Sequence, residues 1–153
     1  MSLPGQPVPP ATAAFPGQAA QPVRVVAGIL WRAGRYLAVQ RPEGKRHAGL
    51  WEFPGGKVEP GEALEAAMVR ELAEELGITA QAPEFWREKD HTYQQGTVRL
   101  YFFHIRAFKG VPRPLEGQGL SWVTPAEGLK LAFLEADRDI VEELQRFPAL
   151  SGV

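Results

Sequence analysis

The sequence predicts an α/β domain organised around a mixed β-sheet. Three observations carry that reading. Short runs of apolar, aromatic and β-branched residues alternate with helical segments, the pattern of strands covered by helices. Several links between runs are short enough for hairpins, so antiparallel pairs belong in the same sheet as crossover connections. The length of 153 residues, with 44% apolar and 23% charged side chains, suits one folded domain with its own core.

Along the chain, residues 1–23 stand apart. They hold no charged side chain and six of the fourteen prolines, with Ala, Gly and Gln between. Such a segment has little to bury, so it reads as a flexible extended tail before a domain at 24–153. Phe15 is the residue through which it could dock on the domain or on a partner. The tail lacks the basic start and continuous apolar stretch of a secretory signal, and the first arginine is Arg24.

Residues 23–30 and 36–39 flank Ala33-Gly34 and predict two strands joined by a tight hairpin. Residues 50–53 form a third short run, stopped by Pro54-Gly55-Gly56. The clearest helix spans 62–76, with Leu64, Met68, Leu72 and Leu76 at four-residue spacing and Gly77 at the stop position. Residues 85–91 and 98–108 read as strands. Residues 112–119 read as a loop with a lone acid, Glu116, before a last short strand at 120–123. Residues 125–129 and 135–147 are expected to be helical.

Charge and composition narrow the function. Lys plus Arg is 17 against 18 for Asp plus Glu, a net charge of −1, which argues against a broadly basic nucleic-acid surface or a polybasic membrane anchor. The longest apolar stretch, residues 25–31, is far short of the ~20 residues of a membrane span. The absence of cysteine excludes disulfides, thiol nucleophiles, Cys-based zinc sites and iron–sulfur clusters. A cytoplasmic protein with neither a membrane nor nucleic acid as direct partner is expected. The composition fixes no oligomeric state.

The helix at 62–76 breaks the amphipathic rule. At about 100° per residue, Glu75 falls inside the leucine stripe, and Glu71, Glu74 and Glu75 share roughly a 100° arc overlapping the core side. Glu62, Glu65, Glu71, Glu74 and Glu75 face one cation, Arg70, along this stretch. Clustered carboxylates repel unless a cation compensates, and oxygen-only donors suit Mg²⁺ or Mn²⁺. A solvated acidic face is the alternative reading of the same charges.

Spacing separates the two. From Gly56 the chain reads Gly, five residues, Glu62, seven residues, Arg70-Glu71-Leu72, one residue, Glu74-Glu75, one residue, Gly77-Ile78. These 23 residues resemble the Nudix box at every defined position. The run Leu50-Trp51-Glu52-Phe53-Pro54-Gly55-Gly56-Lys57 is similar to the MutT branch of that family. The resemblance implies an α/β/α sandwich and metal-dependent hydrolysis of a nucleoside diphosphate linked to another group. It assigns Glu71, Glu74 and Glu75 as metal-binding and base glutamates, with the Gly55 carbonyl as a further ligand. Arg70 would orient Glu71, Glu62 would brace the loop, and Glu116 matches the loop glutamate that completes the metal cluster. In the MutT branch water attacks the β-phosphorus, so the implied products are a nucleoside monophosphate and pyrophosphate.

The same resemblance places Arg41, Glu52, Phe53, Lys57 and Asp137 among substrate-binding residues. Arg41 matches a phosphate-contacting arginine, and an exposed strand-end charge is the plain alternative for it and for Lys57. Phe53 is either a wall of the base pocket or a core ring. Asp137 stands where the MutT branch presents a base-reading asparagine. As an ionised carboxylate it would only accept hydrogen bonds, pairing twice with guanine-type bases through N1–H and the 2-amino group and once with cytosine. That predicts a guanine preference, with 8-oxo-dGTP as a candidate; a cap of the last helix is the other role open to Asp137. Tyr93 keeps dinucleoside polyphosphates among the possible substrates, and His91 could line the pocket beside it. His47, His91 and His104 show no ligand spacing. A nucleotide sensor without catalysis is disfavoured because every box glutamate is present.

Overall fold

The computed structural model describes residues 21–146. Phe15 and most of the expected tail lie outside them, as does Phe147 at the end of the last expected helix. In chain order the elements are β1 (Val23–Arg32), β2 (Arg35–Gln40), β3 (Trp51–Glu52), β4 (Gly55–Lys57), α1 (Leu64–Leu76), β5 (Thr79–Gln81) and β6 (Glu84–Tyr93). There follow β7 (Gly96–Ile105), β8 (Ala107–Lys109), β9 (Gly119–Val123), α2 (Pro125–Gly128), a 3₁₀ turn (Glu135–Asp137) and α3 (Arg138–Gln145).

β1 is the axis of the fold. It runs parallel to β7 from Val23 opposite Val98 to Leu30 opposite Ile105, and antiparallel to β2 and β4. β6 extends the sheet beyond β7, while β2 carries β3 and β9, all antiparallel. The sheet is mixed, as expected. The β1–β2 hairpin closes through Ala33 and Gly34 at φ 52° and 77°, the left-handed pair that matches strand twist.

A strand buried on both faces sends alternate residues into two cores. Ala27, Ile29 and Trp31 pack with Ile140, Val141 and Leu144 of α3, whereas Val26 and Leu30 pack with Met68, Leu72 and Leu76 of α1. Gly28 lets α1 approach: a Cβ there would sit 3.2 Å from the Met68 methyl carbon. The result is a sheet between helical layers. Among the described residues no helix is long and apolar enough to cross a membrane.

Val23, shared by the expected tail and the expected first strand, lies in β1. Three expectations are corrected. The helix begins at Leu64, two residues later than expected, because the Glu62 carboxylate accepts the Glu59 N–H and closes a turn around Gly61 (φ 75°). The expected strand over 98–108 is two strands: after Ile105 the chain leaves the main sheet, and β8 pairs with β5 in a separate ribbon. The expected helix from 135 opens as a 3₁₀ turn, and α3 starts at Arg138. β4 and β5 were not anticipated. Gly55 and Gly56 have no strand propensity of their own, and register with β1 imposes extension on them.

Candidate active site

The first end of the site is β4 and the helix α1 packed against it. Gly55 and Gly56 lie opposite Ala27 and Val26 of β1. A Cβ at Gly55 would overlap the Val26 carbonyl of β1, and one at Gly56 the Glu71 carboxyl group of α1, so only glycine fits at either position. The Gly55 N–H donates to Glu75 Oε1 at 2.9 Å.

Arg70 organises the acids around it. Its Nε and Nη2 donate to the two Glu62 oxygens at 2.7 and 2.9 Å, and Nη2 also donates to the Lys57 carbonyl at 3.0 Å. Its Nη1 donates to Glu71 Oε2 at 3.0 Å and Glu74 Oε1 at 3.4 Å. The paired guanidinium holds the Glu62 carboxyl well below its usual range. Lys57 takes part through its carbonyl, while its side chain is exposed.

Glu75 is buried, 8% exposed, as its place in the leucine stripe requires. Burial pushes its pKa up to about 8, reinforced by the negative charges of Glu52, Glu116 and Glu71 and opposed by the Gly55 N–H. Burial also raises Glu71 against the pull of Arg70, with Glu74 and Glu116 adding to the rise. Glu116 stands exposed in the loop after β8, close enough to act on both. Glu71 Oε1 and Glu75 Oε2 receive no hydrogen bond from the described residues.

These features fit a hard divalent cation: oxygen donors only, mutual repulsion, and free lone pairs on the two more buried acids. Glu71, Glu75 and Glu116, with Glu74 at the exposed edge, are the candidates to hold one. Among the described residues no trio of acidic or histidine side chains is already closed into a coordination cage.

The second end of the site lies across β3. Arg41 Nη1 donates to both Glu52 oxygens at 3.3 and 3.1 Å, and its Nε to the Arg46 carbonyl at 2.6 Å. Burial raises the Glu52 carboxyl, with Arg41 opposing. The Phe53 ring is 4% exposed among Tyr36, Phe102 and Phe133, 5.4–6.0 Å between ring centres. The ring packs within the aromatic core, and its backbone N–H donates to Asp137.

Asp137 occupies the position before α3 without capping the helix, because its side chain makes no cap hydrogen bond. It is buried at 6% exposure. Burial pushes its pKa up to about 8, with Glu52 and Asp139 raising it and Lys89 and the Phe53 N–H opposing. The direction runs against the expectation of an ionised Asp137: burial first, then the charges of Glu52 and Asp139, favour its protonated form. Tyr93 faces the same place, since Asp137, Glu52, Arg41 and Glu135 all act on its hydroxyl. Its ring lies 4.6 Å from His91.

His47 is exposed in the β2–β3 loop. His104 is buried, accepts from Trp31 Nε1 at 2.9 Å, and is pushed down to about 4 by burial, so it is a neutral core histidine. Lys89 was missed by the sequence reading. Its Nζ donates to the Ala136 carbonyl and to Asp139, at 2.8 and 2.7 Å, beside Asp137. A lysine in an amphipathic strand carries no signal of that role. Gln118, a buried glutamine between two glycines, was also missed.

A family model, NUDIX domain, matches residues 21–144. The chain is 41% identical over 120 residues to CTP pyrophosphohydrolase of Escherichia coli, covering 78% of this chain and 89% of that protein. It is 34% identical over 116 residues to the 8-oxo-dGTP diphosphatase of the same organism, covering 75% and 85%. The crystal structure of a MutT Nudix hydrolase from Burkholderia pseudomallei superposes with a TM-score of 0.73 at 30% identity, covering 80% of this chain and 98% of that one. The chain belongs to the Nudix hydrolase family, in its MutT-like branch.

Proposed function

We propose that this protein hydrolyses nucleoside triphosphates to a nucleoside monophosphate and pyrophosphate, clearing the nucleotide pool of guanine-type nucleotides such as 8-oxo-dGTP. The observation that carries the reading is the two-ended site. An acid cluster suited to a metal–polyphosphate lies at one end, and a buried carboxyl released from helix capping lies at the other.

In this reading Glu71, Glu74, Glu75, Glu116 and the Gly55 carbonyl hold Mg²⁺ or Mn²⁺. When bound, the ion screens the polyphosphate charge and makes an attacking water more acidic. Arg70 fixes the rotamers of Glu71 and Glu74, and Glu62 fixes Arg70. One of the coupled glutamates takes the proton of the water as it attacks the β-phosphorus. The bond from that phosphorus to the α–β bridging oxygen breaks, and the monophosphate leaves with that oxygen. Arg41 and Lys57 supply positive charge to the phosphates, Glu52 holds Arg41 in place, and Tyr93 and Asp137 contact the base above Phe53. We place the reaction in the cytoplasm, on free nucleotides rather than nucleic acid, as a safeguard of DNA synthesis.

The protonation of Asp137 favours a second substrate class beside the first. A neutral carboxyl donates through O–H and accepts through C=O. It can pair twice with guanine, through N1–H and O6, and twice with cytosine, through the 4-amino group and N3. Ionised Asp137 keeps two bonds only with guanine. Cytosine triphosphates are therefore the alternative substrates below about pH 8. The name of the Escherichia coli relative, CTP pyrophosphohydrolase, agrees with that class.

The test is a panel assay of 8-oxo-dGTP, dGTP, dCTP and CTP in Mg²⁺ and in Mn²⁺, with products identified and Glu74→Gln as control. Monophosphate and pyrophosphate from a guanine-type substrate, lost in the control, is the expected result. Turnover confined to ADP-ribose or dinucleoside polyphosphates would overturn the base-pocket assignment, and binding without turnover would overturn the enzyme reading.

A further inference from the structure

The loop between β8 and β9 carries Glu116, which stands exposed and is bonded within the loop through its backbone N–H. The loop backbone is tied to the C-terminal end of α1: Arg113 N–H donates to the Leu76 carbonyl at 2.9 Å, and Leu115 N–H reaches the Glu75 carbonyl at 3.3 Å. Beyond Glu116 the tie passes through one side chain. Gln118 is 6% exposed. Its Oε1 accepts the Glu116 N–H at 2.8 Å, and its Nε2 donates to the Glu75 carbonyl at 3.1 Å.

Each half of that amide has one job. The acceptor fixes the peptide that bears the loop acid, and the donor fixes the helix residue that bears the buried acid. Gly117 at φ 77° turns the chain between them, and Gly119 packs against the Gln40 side chain at about 3.0 Å from where its Cβ would be. Glu75 is the centre of the arrangement, since its carboxylate holds the Gly55 N–H while its carbonyl holds Gln118. A buried amide satisfied at both ends is a rigid link, because breaking either bond strands a polar group out of water.

We infer that Gln118 is a positioning residue, which splints the loop acid Glu116 to the Glu75 end of helix α1 and so sets the geometry of the cation site. The inference rests on the reading that Glu116 helps to hold the ion. A residue acting behind a metal ligand typically changes metal affinity by roughly 10–100-fold. Gln118→Met, close in volume and lacking both hydrogen bonds, should accordingly weaken Mn²⁺ binding by about tenfold. Free Mn²⁺ is counted by its electron paramagnetic resonance signal, with no substrate present. In the Glu116→Gln background the same substitution should change affinity by less than about twofold, since the acid to be positioned is gone. Excess Mn²⁺ should restore turnover in Gln118→Met.

The outcomes separate two failures. If Glu116→Gln weakens Mn²⁺ binding but Gln118→Met does not, or if the Gln118 loss persists in full without Glu116, the splint is wrong and the loop ligand stands. If Glu116→Gln leaves Mn²⁺ affinity unchanged, the ligand assignment is wrong and the splint has no catalytic role. Amide hydrogen exchange tests the link in the wild-type protein without any variant. The Glu116 amide should exchange at least about tenfold more slowly than an open loop, and exchange at the open-loop rate would overturn the proposal.

Discussion

Replacing Asp137 by Asn tests the charge state of the site through the stability of the fold. The carboxyl has an ordinary value of 3.8 and stands at about 8 in the folded protein, burial being the main cause. The folded state therefore holds a proton that the unfolded chain has released over most of that interval. For a group raised on folding, its contribution to stability is fullest below the unfolded value and is lost as pH rises through the folded one. Each pH unit in that window is worth about 1.4 kcal/mol, so the interval from pH 5 to 8 removes roughly 4 kcal/mol. Asn has nearly the same shape, can still accept the Phe53 N–H, and does not titrate.

Wild type and Asp137→Asn should consequently diverge as pH rises. Other titrating groups, Glu75 included, are present in both proteins and cancel in the comparison. At about 3 °C per kcal/mol for a domain of this size, the variant should gain roughly 10 °C in Tm over wild type between pH 5 and 9. The assay is thermal unfolding followed by circular dichroism, in chelator, across that pH range. A Tm difference constant to within about 2 °C would refute the reasoning, because an Asp137 already ionised at pH 5 has no proton left to lose.

The same titration should appear in specificity: the ratio of kcat/KM for dGTP to that for dCTP should rise through about pH 8 in wild type and stay flat in Asp137→Asn. Lys89→Met removes the cation that opposes protonation of Asp137, so the crossover should move to higher pH, by about one unit; an unmoved crossover would detach Lys89 from this role. Gly56→Ala puts a methyl group into the Glu71 carboxyl, and displacement on the ångström scale should lower kcat/KM by about a hundredfold while the far-ultraviolet spectrum is kept; near-normal activity would mean that Glu71 need not stay where it is. Mg²⁺ at about 100 times its dissociation constant should stabilise the fold by about 2.7 kcal/mol and raise Tm by several degrees, reversed by chelator; no shift would count against an ion held by the folded acids.

Much of the acidic end was legible in the sequence, because its acids other than Glu116 lie within one turn and one helix. The periodicity that defines the leucine stripe also drops Glu75 into it, and the buried Glu75 of the structure is the direct counterpart. The end around Asp137 was legible only by residue name. The charge state of Asp137 depends on Glu52 of β3, Lys89 of β6 and the Phe53 peptide, none of them neighbours in the chain, so local pattern said ionised where tertiary burial says otherwise. Short strands failed for a related reason. Gly55-Gly56-Lys57 and Thr79-Ala80-Gln81 are too brief to show a period, and each is extended because a partner strand completes its hydrogen bonds.

The distribution of buried polar side chains gives an independent measure of where this fold departs from pure packing. Glu75, His104, Gln118 and Asp137 are the buried polar or charged residues among those described. His104 is held by the Trp31 indole and lies 4.7 Å from the Trp86 ring, a neutral group absorbed into an aromatic core. The other three belong to the two ends of the candidate site. Two of them are acids raised far above their ordinary values, which makes each a liability to the folded state at alkaline pH. The third is an amide spent on orienting one of those acids against a loop. A core selected for stability alone would place Leu or Met at all three positions. Glu52 ties the pattern together: its charge raises both Glu75 and Asp137, and Arg41 is the cation bound to it. One carboxylate thus adds negative charge to both ends of the candidate site, and the guanidinium that offsets it comes from the strand end beside β3.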